Sequence, residues 1–246
     1  MKKLLSLLFL MTIVSGLSAQ VDSIREETRN LDPFNRVIAA HGINVKLIYN
    51  DLEEAHVKVK GAPLEDVITE VEDMTLKVRM KAKLLQDVTV MVDVSYKQVK
   101  YIEANTGAYI ETVRPLWGEK VKLYAITGGV IKAESTVSEV EAVTSGASTI
   151  EIYGKAKQFD ANANLGGKVD AFALKTGNVK VKSNSGSTIN VYSSDSIQAK
   201  ASVGGIINIK GDPSEKDFKT SLGGEIKEIK PNPAFGKDLI KDENDK

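Results

Sequence analysis

The chain has 246 residues, with 33 Lys and Arg against 33 Asp and Glu, 6% aromatic residues and no Cys. Such a balance gives the molecule as a whole no electrostatic case for nucleic acid or an anionic membrane. Without Cys there are no disulfides, so packing and hydrogen bonds must hold the fold.

Lys2 and Lys3 precede an apolar run from Leu4 to Val14, and Leu17-Ser18-Ala19 offers small residues before a cleavage point. This is the layout of a secretory signal. The run is shorter than the roughly 20 residues needed to span a bilayer, and no later stretch is longer, so an integral membrane protein is not expected. Cleavage near Ala19 predicts an exported chain starting at Gln20, in the periplasm, on the outer surface or secreted. Losing Lys2 and Lys3 leaves 31 basic against 33 acidic residues, a net charge of −2. Residues 20–33 read as a linker, 34–230 as one β-helical domain and 231–246 as a loose charged tail.

Around Gly42, the residues Val37, Ala39, Val45 and Leu47 form two short alternating arms. After them Val57-Lys58-Val59, Leu76-Lys77-Val78 and Val88 to Val94 read as longer strands, and Pro63 to Val67 as the start of a short helix. Such an atypical unit suits the end of a solenoid, where an open edge needs cover.

From Asn105 onward a repeat dominates. The anchors Gly107, Gly128, Ala147, Gly166, Gly186, Gly204 and Gly223 are spaced by 21, 19, 19, 20, 18 and 19 residues. Three residues after each stand Ile110, Ile131, Ile150, Val169, Ile189, Ile207 and Ile226. Three residues before each stand Ala104, Ala125, Thr144, Ala163, Ser183, Ala201 and Thr220, all small. Both arms alternate apolar and polar with period two, the mark of a strand with one buried face. A unit of strand, small-residue corner, strand and longer turn cannot bury its apolar face alone, but identical units stacked in register can. The expected fold is therefore all-β, a single right-handed parallel β-helix of about seven coils with an irregular N-terminal cap. An antiparallel sandwich is the competing arrangement, and it does not require a twenty-residue period.

Phe34-Asn35-Arg36-Val37-Ile38, followed by His41-Gly42-Ile43-Asn44-Val45, resembles the auto-transporter adhesin family with a head GIN domain, named for the tripeptide present here as Gly42, Ile43 and Asn44. The resemblance covers roughly Phe34 to Ile229. It implies an exported β-helical protein with an adhesin-like role, and brings no ligand, reaction or functional residue with it. Within the motif, Gly42 is expected to free the backbone at a turn and Asn44 to bond a neighbouring backbone group.

The chemistry-bearing residues are few. Two histidines, His41 and His56, and no Cys give no metal-ligand set, and no cofactor motif is present. Gly146-Ala147-Ser148 begins like a nucleophile elbow, but Ile150 replaces the last Gly, so Ser148 reads as a corner residue. Four residues after the anchors, Glu151 and Asp170 fall on adjacent coils; they are the best acidic pair for a polysaccharide-active alternative, a lyase or glycosidase. Six residues after the anchors, Tyr153, Phe172 and Tyr192 form an outward aromatic strip suited to a glycan or a cell-surface protein. Asn105, Asn164 and Asn184, two residues before their anchors, are expected to close corners. A homo-oligomer is compatible with all of this.

Overall fold

The computed structural model describes residues 23–81 and 88–230. The expected signal segment and tail lie outside the described residues. The strands run β1 (Arg25–Asn30), β2 (Arg36–Ala39), β3 (Asn44–Tyr49), β4 (Glu54–Lys60), β5 (Val67–Glu72), β6 (Thr75–Met80), β7 (Thr89–Tyr96), β8 (Tyr101–Asn105), β9 (Tyr109–Thr112) and β10 (Leu116–Ile126). They continue as β11 (Val130–Ser145), β12 (Thr149–Asn164), β13 (Lys168–Ala171), β14 (Leu174–Asn184), β15 (Thr188–Tyr192), β16 (Ser196–Ser202), β17 (Ile206–Lys210), β18 (Glu215–Ser221) and β19 (Glu225–Glu228). From β8 onward every pairing is parallel and joins one coil to the next. The fold is the expected parallel β solenoid.

The isoleucine column forms its core. Ile110, Ile131, Ile150, Val169, Ile189 and Ile207 are all fully buried and pair coil to coil in register. Stiff β-branched side chains suit such a ladder. Each described corner is two residues long with positive φ at both, as at Thr106 (47°) and Gly107 (75°), and at Val203 (49°) and Gly204 (71°). This is a type I′ turn. Six of these corners close through the amide three residues on, Ala108 N to Asn105 O (3.1 Å) being one. They also stack: Gly107 N donates to Thr127 O (3.0 Å), Gly128 N to Gly146 O (2.9 Å) and Gly204 N to Leu222 O (3.1 Å). The left-handed conformation costs a non-glycine residue roughly 1–2 kcal/mol, and it aims these peptide groups along the stack. The anchor column thus captures only the second half of a two-residue corner.

A third arm replaces the longer turn expected from the sequence. Leu116–Lys120, Ser135–Glu139, Gly154–Gln158 and Leu174–Asn178 pair side by side. Beyond them Val121, Val140, Phe159, Val179 and Ile197 make a second buried ladder. The arm carries Ser135 and Gly154 on its inward side, so it lacks the apolar alternation that marks a strand.

The N-terminal cap is built out of chain order. The β2–β3 coil is sandwiched between the β6–β7 coil and the β8–β9 coil. Antiparallel strands close its outer edges, β5 on β6, β4 on β7 and β1 on β4. Residues 25–30, expected in a linker, are therefore a strand, because pairing with β4 satisfies an edge that would otherwise be bare. The helix expected from Pro63 is a single 3-10 turn, Leu64–Asp66.

Candidate functional site

Gly42 sits at a corner with His41, both at positive φ, and Ile43 is fully buried. Asn44 departs from expectation. It opens β3 on the outward face, between Met91 and Tyr109, and makes no side-chain hydrogen bond among the described residues. The alternation of the strand turns its amide to solvent, away from any backbone group. Of the three corner asparagines, Asn164 accepts from the Leu165 amide (3.0 Å), while Asn105 bonds the Thr106 hydroxyl and Asn184 the Ser202 hydroxyl of the next coil. Ser148 is buried; its hydroxyl donates to Ala125 O (2.6 Å) and accepts from Ser145 N (3.0 Å).

Tyr153, Phe172 and Tyr192 are half-buried on three successive coils. Lys175 Nζ lies 4.0 Å from the Tyr192 ring centre and Lys210 Nζ 4.1 Å from that of Phe172. These lysines cover part of the ring faces. Glu151 and Asp170 are direct register partners on β12 and β13, and Lys168 stands 3.7 Å from Asp170.

A richer cluster lies on the strand before the corner, among side chains four and six positions before the anchors. Tyr101 and Tyr124 stack at 5.2 Å, and the Arg36 guanidinium lies 4.3 Å over the Tyr101 ring. With Lys100, Lys120 and Lys122 they line a shallow groove of about 410 Å³. Tyr101 donates to Glu103, and Tyr124 and Lys120 donate to Glu141 and Glu139. The hydrogen bond to Glu141 pushes the Tyr124 phenol up to about 12, and the same bond, followed by Lys120, holds Glu141 below its usual value. Burial first, then Glu103, pushes Tyr101 up as well. Further shallow depressions continue along this face toward Lys180, Lys182 and Lys200. This face is legible in the repeat as the outward columns four and six residues before the anchors. Only the columns after the anchors point to Tyr153, Phe172 and Tyr192. Among the described residues no His, Asp or Glu group is arranged to hold a metal ion, and no helix is long and apolar enough to cross a membrane.

The same architecture recurs in solved structures. The "putative adhesin" of Bacteroides fragilis is 17% identical with a TM-score of 0.76, over 84% of this chain and 97% of that one. The "putative adhesin" of Parabacteroides merdae is 18% identical, TM-score 0.69, over 84% and 96%. A "putative lipid binding protein" of Parabacteroides distasonis is 16% identical, TM-score 0.70, over 84% and 97%. At these identities the likeness is one of fold. No curated protein matches the sequence. Residues 33–213 match the family described as "putative auto-transporter adhesin, head GIN domain", and with the motif at Gly42-Ile43-Asn44 and the stacked coils this chain belongs to that family.

Proposed function

We propose that this chain is a non-catalytic, exported binding protein that meets its partner through long flat strand faces. The observation that carries the reading is the arrangement of its outward side chains in rows. Aromatic and charged groups line up coil after coil above shallow grooves, as a solenoid's extended binding surface requires. Membership of an adhesin family and the signal-like first nineteen residues support export. Tyr153, Phe172 and Tyr192 are the proposed contact to a glycan or a cell-surface protein, with Lys175 and Lys210 beside the Tyr192 and Phe172 rings. The chain from Gln20, which holds every described strand, is expected to bind selectively on a glycan array. Aromatic anchors are worth about 2 kcal/mol or more at interfaces, so a Tyr153→Ala, Tyr192→Ala double variant is expected to bind at least about tenfold more weakly. Equal binding by both proteins would remove the strip from the reading. Release of reducing ends from a bound polysaccharide, lost on Glu151→Gln, would replace it with the enzymatic alternative.

A further inference from the structure

Two features of the C-terminal coils depart from the rest of the molecule, and they share one edge. The first is the corner tip. Its leading residue has positive φ at every described corner, and the earlier coils place His41, Thr106, Thr127 and Gly146 there. The later ones place Leu165, Val203 and Leu222, which are 59%, 48% and 80% exposed, with Ser185 between. An apolar side chain gains little burial at such a tip, and a β-branched residue tolerates this conformation poorly. Local strain combined with exposed apolar surface marks a place where the sequence answers to something other than folding.

The second feature is a row of like charge. Lys182, Lys200 and Lys219 are direct register partners on β14, β16 and β18. At Lys46–Glu111, Lys120–Glu139 and Lys122–Glu141 the protein sets a carboxylate beside an in-register lysine, and Lys155 and Lys175 pair two lysines but extend to no third. Here the charges stack at one strand spacing, an unfavourable arrangement in a bare sheet. Lys219 meets Asp217 at 3.1 Å. Lys182 and Lys200 have no carboxylate within 4.0 Å among the described residues.

Each lysine stands three residues before a corner tip, Lys182 before Ser185, Lys200 before Val203 and Lys219 before Leu222. That is roughly 10 Å along an extended strand. On the other flank lie Thr188, Ile206 and Glu225, the last paired with Lys227 at 2.9 Å. We propose that the corner ridge of Leu165, Val203 and Leu222, with Lys182, Lys200 and Lys219 beside it, docks this protein on an anionic phospholipid surface. The tips enter the boundary between headgroups and acyl chains, some 5–10 Å deep. The lysines then fall in the headgroup layer, where their stems lie along apolar surface and their ammonium groups meet phosphate. A polyanion in solution accounts for the lysines alone; a lipid surface accounts for both anomalies. The net charge of −2 for the chain from Gln20 does not oppose this, because the field at the surface is set by the nearest charges.

The test is co-flotation of the chain from Gln20 with vesicles of phosphatidylcholine alone and of phosphatidylcholine with phosphatidylglycerol in equal parts. Binding to the anionic vesicles is expected, falling with salt. It is expected to weaken at least about tenfold in Lys182→Gln, Lys200→Gln, Lys219→Gln, each lysine near an anionic surface being worth roughly fivefold. Leu165→Asn, Val203→Asn, Leu222→Asn is expected to abolish it without lowering the melting temperature, because Asn accepts this backbone conformation better than Leu or Val. Should that triple variant melt lower, Leu222→Asn alone, at the most exposed tip, is expected to weaken binding. No binding to anionic vesicles would overturn the proposal, as would equal binding to neutral ones or binding unaltered by the Asn changes. Capture of soluble polygalacturonate but not vesicles would also overturn it and leave the glycan-binding reading standing.

Discussion

At the scale of single residues, side-chain size is dictated by the coil beneath. A Cβ on Gly129 would lie 2.0 Å from Ala104 O, whereas one on Gly166 would meet nothing within 4 Å. Both positions are glycine for different reasons, close approach at Gly129 and a φ of +73° at Gly166. Gly129→Ala is expected to cost about 3 kcal/mol through overpacking against backbone, and Gly166→Ala about 1 kcal/mol through conformation alone. Urea midpoints at unchanged slope would check the order of the two. Titration adds a second expectation. Glu141, held low by Tyr124 and Lys120, contributes stability that is present above its unfolded pKa and is lost as pH falls through the folded value. Tyr124, raised from 10.0 to about 12, contributes stability that is present below 10 and is lost as pH rises through 12. Glu141→Gln is therefore expected to flatten the acid limb of melting temperature against pH. It should also return one tyrosine ionisation, followed by ultraviolet absorbance, toward its ordinary value.

At the scale of elements, the two arms around each corner were legible because they combine a fixed period with strict alternation. Ile110 through Ile207 sit where the period puts them, and all are buried. The third arm was not legible. Its inward residues include Ser135, Gly154 and Thr176, small or polar side chains that fit a narrow interior without forming an apolar pattern. The N-terminal strands were visible singly, but not their order in space. Nothing local to Val57, Leu76 or Val90 states that the β6–β7 coil stacks beneath the β2–β3 coil rather than above it. One outward column states the aromatic strip, whereas the Tyr101–Tyr124 stack is not legible in any single column because the partners are 23 residues apart and lie in different columns.

At the scale of the molecule, the solenoid is a row of nearest-neighbour contacts, so its stability is graded along the axis. Antiparallel strands cover the N-terminal end. At the other end β18 is exposed throughout, Phe218 is 38% exposed and Ile226 only half-buried, and no described strand pairs with the outer edges of β18 and β19. Amide hydrogen exchange is expected to be fastest in Glu215–Ser221 and Glu225–Glu228 and slowest around Ile131 and Ile150, since opening free energy follows burial and pairing. Uniform protection along the chain would instead indicate one cooperative unit.

The sequence by itself determined the coil, the corner and the buried ladder, because a fixed period and β-branched alternation are local properties that each unit states again. It also determined the family, through Gly42, Ile43 and Asn44 and the corners that follow. The tertiary structure alone decided the third arm, the order of the N-terminal coils, the stacking of Tyr101 on Tyr124 and the shared edge of the exposed tips and the lysine row. These depend on which residues of neighbouring coils come to lie side by side, and that is settled by register and by the direction in which the chain turns.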